Sequence, residues 1–177
     1  MQPLKALGNP VADLIDVLPY AALQSLLDAL WTPGAHNYMS SSYVDALDDG
    51  AIEAAIERHR IVPSPMSEIH LHHFGGAVAR VDEEATAFGG RSAPYVLNVI
   101  ARSAEADGFA ANVEWARGTT AAFAPVSAAG AYTNFMGDAS DGRLRATYGD
   151  AKYERLVALK RRYDPTNLFR LNQNIAP

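Results

Sequence analysis

Cysteine is missing altogether from this 177-residue chain. That excludes disulfides, a thiolate nucleophile and thiolate metal ligands. Positive charge is also scarce, with 15 Lys and Arg against 20 Asp and Glu and a net charge of −5. No basic patch with interleaved aromatics occurs, so nucleic acid is not expected as a partner. Apolar runs are short, and none approaches the ~18 residues needed to cross a bilayer, so no membrane partner is expected. The opening MQPLKALGNPVADLID has no long apolar core behind a basic start. It does not read as a secretory leader, and the expected location is cytoplasmic. Neither phosphate-binding glycine motif is present. Nor is the G-x-S-x-G elbow of serine hydrolases.

What is present is an ordinary soluble balance, 49% hydrophobic and 20% charged. Residues 1–18 carry prolines and no clear period, and read as a linker-like lead-in. YAALQSLLDAL then places Leu23, Leu26, Leu27 and Leu30 at helical spacing. TPGAHNYMSSSYV reads as a loop or short strand. Asp48-Asp49-Gly50 starts a helix over AIEAAIERHR, with Ile52, Ala55, Ile56 and His59 on one face. SEIHLHHFGGAVARV reads as two strand pieces around Phe74-Gly75-Gly76, with Ile69, Leu71 and His73 on the core-facing side. Residues 95–102 read as a buried strand, and NVEWARGTTAAFAPV as a helix ended by Pro125. GAYTNFMGD reads as a strand, and DAKYERLVALKRRY as an amphipathic helix stopped at Asp164-Pro165. Strands cluster in the middle without regular alternation with helices. The expected fold class is α+β, an antiparallel sheet covered by helices, followed by a C-terminal helix and an extended tail.

Three groups of residues can carry chemistry. His70 and His72 share one strand face, where they bind a metal or line a cavity; neither Cys nor an obvious third ligand accompanies them. Tyr132 and Asn134 share a face if their segment is a strand, placing a phenol beside an amide. The tail LFRLNQNIAP ends on Asn172, Gln173 and Asn174. Three successive amides cannot all face one way. Some pair with backbone, and the rest suit a flat heterocycle whose edge alternates acceptors and donors.

KRRYDPTNLFRLNQNIAP (160–177) resembles the C-terminal signature of the berberine bridge enzyme-like flavoproteins of the vanillyl-alcohol-oxidase-type superfamily. GAYTNFMGD, TYGDAKYERLVALK, FGGAVARV, ATAFGGR, APYVLNV and NVEWARGTTAAFAP resemble further segments of that family in the same order. The resemblance implies a substrate-binding α+β domain over 19–129, a berberine-like segment over 130–177, and no N-terminal FAD-binding domain. The cofactor it implies is FAD. The partners are an FAD-binding N-terminal half in the same or a separate chain, a small-molecule substrate oxidised at CH–OH or CH–N, and molecular oxygen as acceptor. It assigns Tyr132 as acid/base residue and Asn134, Asn172, Gln173 and Asn174 to the flavin. His70, His72 and Asn98 become substrate contacts. A phenol ordinarily ionises near pH ~10, so a base role needs a partner group. Met39-Ser40 and Gly90 depart from the family's Trp-Lys and His. A flavin-facing apolar patch is expected around Phe135, Phe169 and Ile175. The rival expectation is a stand-alone module that binds a small ligand, or a metal at His70 and His72, without redox activity.

Overall fold

The computed structural model describes residues 6, 8, 12, 16–31, 33–137 and 141–177. It divides into two compact units, Met1–Gly34 and Ala35–Pro177. Most of the linker-like lead-in over 1–18 lies outside the described residues. In the first unit, α1 (Tyr20–Gln24) lasts five residues and is followed by a 3-10 turn at Asp28–Leu30. The leucine spacing predicted a continuous helix over this stretch. Helices this short draw most of their stability from packing, and no α1 residue is buried.

The second unit is built on three strands. These are β1 (His36–Val44), β2 (Glu68–His73) and β3 (Tyr95–Ser103), in the order β1-β3-β2 and antiparallel throughout. Between β1 and β2 runs α2 (Asp49–Arg60), whose N-cap Asp48 accepts a hydrogen bond from the Ala51 N–H at 2.8 Å. After β3 comes α3 (Phe109–Ala122). Both helices lie on one face of the sheet. Leu97, Val99 and Ala101 from β3 meet Trp115, Ala116 and Phe123 there in a dry core. The Trp115 indole N–H donates to Arg58 O at 2.8 Å, and the Arg58 guanidinium donates back to Trp115 O at 3.0 Å, which ties the helices together.

The α+β expectation holds, and several elements depart from their local reading. β1 is a full nine-residue strand, because its serines pair along β3. Residues 78–80 form a 3-10 turn, so only the first of the two strand pieces around Gly75-Gly76 is a strand. His73 keeps the register of Ile69 but is exposed beyond the helices, against the Tyr95 ring. The segment at 130–137 is not a strand: Thr133–Phe135 is a 3-10 turn closed by Phe135 N–H to Tyr132 O at 2.9 Å. Asp138, the last residue of that expected strand, lies outside the described residues. A helix unforeseen in the sequence, α4 (Asp141–Tyr148), precedes α5 (Asp150–Tyr163). These two pack Leu144, Tyr153 and Val157 against Ala131 and Met136 as a second core.

Candidate functional site

The sheet face turned away from α2 and α3 carries most of the candidate residues. Strand alternation places Ser41 and Tyr43, then Val96 and Asn98, then His70 and His72 on that face. Asn98 sits between Ser41 on one side and His70 on the other. Three polar atoms here, Ser41 Oγ, Asn98 Oδ1 and His72 Nε2, are buried without a hydrogen-bond partner. Native proteins leave few such atoms, and each is a place where a ligand group has something to satisfy. His70 behaves differently: its Nε2 lies 2.5 Å from Glu68 Oε2. Burial, then neighbouring His70, lowers the His72 pKa below the usual imidazole value, which keeps His72 neutral.

An aromatic group closes one side of this face. The His72 ring lies 5.3 Å from Phe135, and Phe135 lies 4.9 Å from Tyr132, edge to face. Phe74 and Phe88 complete the group around Tyr132. The Tyr132 oxygen accepts a hydrogen bond from Asn134 Nδ2 at 2.8 Å. Tyr132 and Asn134 therefore meet as expected, brought together by a 3-10 turn in place of strand alternation. Both line a cavity of about 210 Å³ with Tyr43, Phe88 and Tyr148. The Tyr43 hydroxyl donates to Gly89 O at 2.8 Å. Burial first, and Glu83 second, push its pKa up, so it stays protonated.

The loop that supplies Phe88 and Gly89 is held by Glu83. Its carboxylate accepts from Gly90 N–H, Arg91 N–H and Lys152 Nζ. Burial raises the Glu83 pKa, and the hydrogen bonds, led by that from Lys152, outweigh it and bring it below the usual range.

Asn134 also opens into a second cavity of about 470 Å³, shared with Asn37, Asn172 and Gln173. Asn172 holds φ at 59°, a left-handed conformation that asparagine tolerates better than most residues. Gln173 Nε2 donates to Met136 O at 2.9 Å, and Asn174 N–H donates to Asn172 O at 2.9 Å. The tail amides thus divide as their crowding required. Asn172 and Gln173 face the cavity beside Asn134. Asn174 is not among its lining residues, and its Oδ1 is buried and unpartnered.

The structure brings Tyr132, Asn134, Asn172 and Gln173 together, and joins His72 to them through Phe135. Ser41, Tyr43 and Phe88 belong to the same region and escaped the sequence reading. A serine in a serine run and a phenylalanine in a loop carry no local signal. The expected apolar patch shifts: Phe135 and Ile175 are partly covered, while Leu168, Phe169 and Leu171 are strongly exposed. Among the described residues no group of three or more potential metal ligands occurs, and no helix is long and apolar enough to cross a membrane.

The family model described as "Berberine and berberine like" matches residues 131–176. An FAD-linked oxidoreductase of Dictyostelium discoideum is 28% identical over 100% of this chain and 39% of its own length. The tetrahydroberberine oxidase of Berberis wilsoniae is 28% identical over 89% of this chain and 33% of its own. In solved structures, the 6-hydroxy-D-nicotine oxidase of Arthrobacter nicotinovorans superposes with a TM-score of 0.76 at 25% identity, covering 99% of this chain and 40% of that one. The chain therefore spans about two-fifths of the first relatives it matches. By sequence and fold together, the chain is similar to part of the FAD-linked oxidoreductases, and its residues 131–176 carry the berberine-like match.

Proposed function

We propose that this chain supplies the substrate-binding sheet and the flavin-edge tail of an FAD-dependent oxidoreductase acting on a CH–OH or CH–N group. An FAD-binding part, in the same or a separate polypeptide, completes it, and molecular oxygen is the electron acceptor. The observation that carries this reading is the convergence of Asn134, Asn172 and Gln173 on one cavity, beside a tyrosine whose oxygen Asn134 holds. Those residues fit the polar edge of a flavin ring, since amides offer donors and acceptors side by side. They fit no more of FAD than that, because no glycine-rich phosphate loop accompanies them. Bound there, the flavin would take the electrons released by the substrate.

The chain's own residues do the rest. The Asn134 N–H aimed at the Tyr132 oxygen supports charge developing there, and leaves the hydroxyl proton to exchange with a substrate oxygen or nitrogen. Phe74, Phe88 and Phe135 pack around the Tyr132 ring and hold it in place. Asn98, Ser41 and neutral His72 hold buried, unpartnered polar atoms on the same sheet face, and are the candidates for substrate contacts there. The same atoms also support a second reading, a small-ligand binding module without redox chemistry.

Two measurements separate the readings. Purified chain is titrated with FAD, with and without an FAD-binding part, and flavin fluorescence is followed. In the reconstituted enzyme Tyr132→Phe is expected to lower turnover about 10²–10⁴-fold with flavin content unchanged. Unaltered turnover removes Tyr132 from the chemistry. Reconstituted protein that holds flavin yet oxidises no alcohol or amine favours the binding module.

A further inference from the structure

Ala87, Phe88 and Gly89 form one wall of the cavity of about 210 Å³ that Tyr132 and Asn134 also line. The Phe88 ring lies 5.9 Å from the Tyr132 ring. No helix or strand shapes this wall. Its backbone is instead pressed from two sides. A Cβ added at Gly90 would sit 2.2 Å from Tyr43 Cζ, and one at Gly89 would sit 2.8 Å from Thr147 O. A shift of the loop therefore moves the surroundings of Tyr132.

Two side chains fix the loop. The Glu83 carboxylate accepts from Gly90 N–H at 3.1 Å and from Arg91 N–H at 2.9 Å. Lys152 Nζ donates to Glu83 Oε1 at 2.7 Å and to Phe88 O at 3.3 Å. One ion pair thus binds three backbone groups of the wall, and the Tyr43 hydroxyl takes a fourth, Gly89 O. Lys152 is an unusual residue for its place. It is 3% exposed and sits in the first turn of α5, at the positive end of the helix, where a cation is disfavoured. Replacing such a pair by well-packed apolar side chains is often neutral or stabilising. Stability alone does not account for the choice.

We propose that Glu83 and Lys152 are positioning residues for Tyr132. By pinning the loop to α5 they set Phe88 against the Tyr132 ring, and with it the direction of the hydroxyl that Asn134 holds. Neither side chain is among those lining the cavity, so both act through the loop. Their role rests on the reading of Tyr132 as the acid/base group, and every contact that carries it lies within this chain.

Isotope-edited NMR of the tyrosine rings, on the full chain, reads the placement of Tyr132 directly, because its shift depends on the aromatic rings around it. The signal is assigned by its loss in Tyr132→Phe. Lys152→Met and Glu83→Gln are each expected to move it, with the signal of Tyr38, packed against the helix-face core, unchanged. Arg155→Ala removes a neighbouring α5 bond, to Glu84 O at 3.3 Å, and is expected to leave Tyr132 in place. Glu83 is 43% exposed, so Glu83→Gln keeps the test decisive where Lys152→Met does not fold. In the reconstituted enzyme each variant is expected to lower kcat about tenfold at unchanged KM and flavin content. In a Tyr132→Phe background it adds nothing further. A Tyr132 signal that folded Glu83→Gln and Lys152→Met both leave unmoved overturns the proposal. So does a kcat loss as large with Tyr132→Phe as without it. Unaltered turnover in Tyr132→Phe alone removes the acid/base reading, and the ring signal then decides the clamp by itself.

Discussion

On β3, Leu97, Val99 and Ala101 point toward α2 and α3, while Val96, Asn98 and Arg102 point the other way. The first set is sealed among Trp115, Ala116 and Phe123, and its buried strand partners Ser40 and Ser42 are hydrogen-bonded to Thr120 and Ser127. The second meets serine, histidine, asparagine and glutamate, and keeps Ser41 Oγ, Asn98 Oδ1 and His72 Nε2 buried without partners. Both faces are largely covered, so burial alone does not distinguish them. The difference is whether each buried group has what it needs. The helix face has complete packing and carries the stability. The other face leaves polar valences open, at a cost of ~1–3 kcal/mol each, which is how binding surfaces differ from cores.

That contrast is open to test. Val99→Asp puts an unpaired carboxylate into the sealed face and is expected to cost more than about 4 kcal/mol, read as loss of the cooperative urea transition. A folded Val99→Asp protein of near-normal stability would mean that the helix face is not the core.

Lys152→Met tests the join between the second core and the aromatic loop. Lys152 is 3% exposed and holds both Glu83 and Phe88 O. Its replacement is expected to cost roughly 1–3 kcal/mol, less than breaking a fully buried pair, because Glu83 is 43% exposed. The same pair sets a pH dependence. Glu83 has a lowered folded pKa, so its contribution is present above the ordinary carboxylate range. It is lost as pH falls through the folded value. Thermal melts of Glu83→Gln should therefore show a flatter decline on acidification than the wild type.

The polar face should respond in the opposite sense. Asn98→Leu is expected to hold or raise stability, by up to about 1 kcal/mol, while weakening substrate binding in the reconstituted enzyme. Ser41→Ala, the smallest change, should shift stability by no more than ~0.5 kcal/mol, because its hydroxyl makes no bond to lose. A clear loss of stability in either would show that the face is structural after all.

Much of the scaffold was legible because its signals are local. The apolar run at 95–102, the capped pattern at Asp48 and the amphipathic run ending at Asp164-Pro165 each specify their own backbone, and β3, α2 and α5 formed where these lie. The tail amides were legible as a polar cluster for the same reason, since three adjacent amides are unusual wherever the chain goes. Tertiary structure alone decided that Thr133–Phe135 turns as a 3-10 helix, because Met136 is drawn into the second core while Phe135 goes to His72. It decided that β1 is a long strand, since Ser40, Ser41 and Ser42 are ordered by pairing with β3. It also decided which amides share a cavity with Tyr38, Met39 and Gly137, residues far apart in the chain. Periodicity reports how a segment folds on itself, whereas a binding site is made from segments that meet only after the chain has closed.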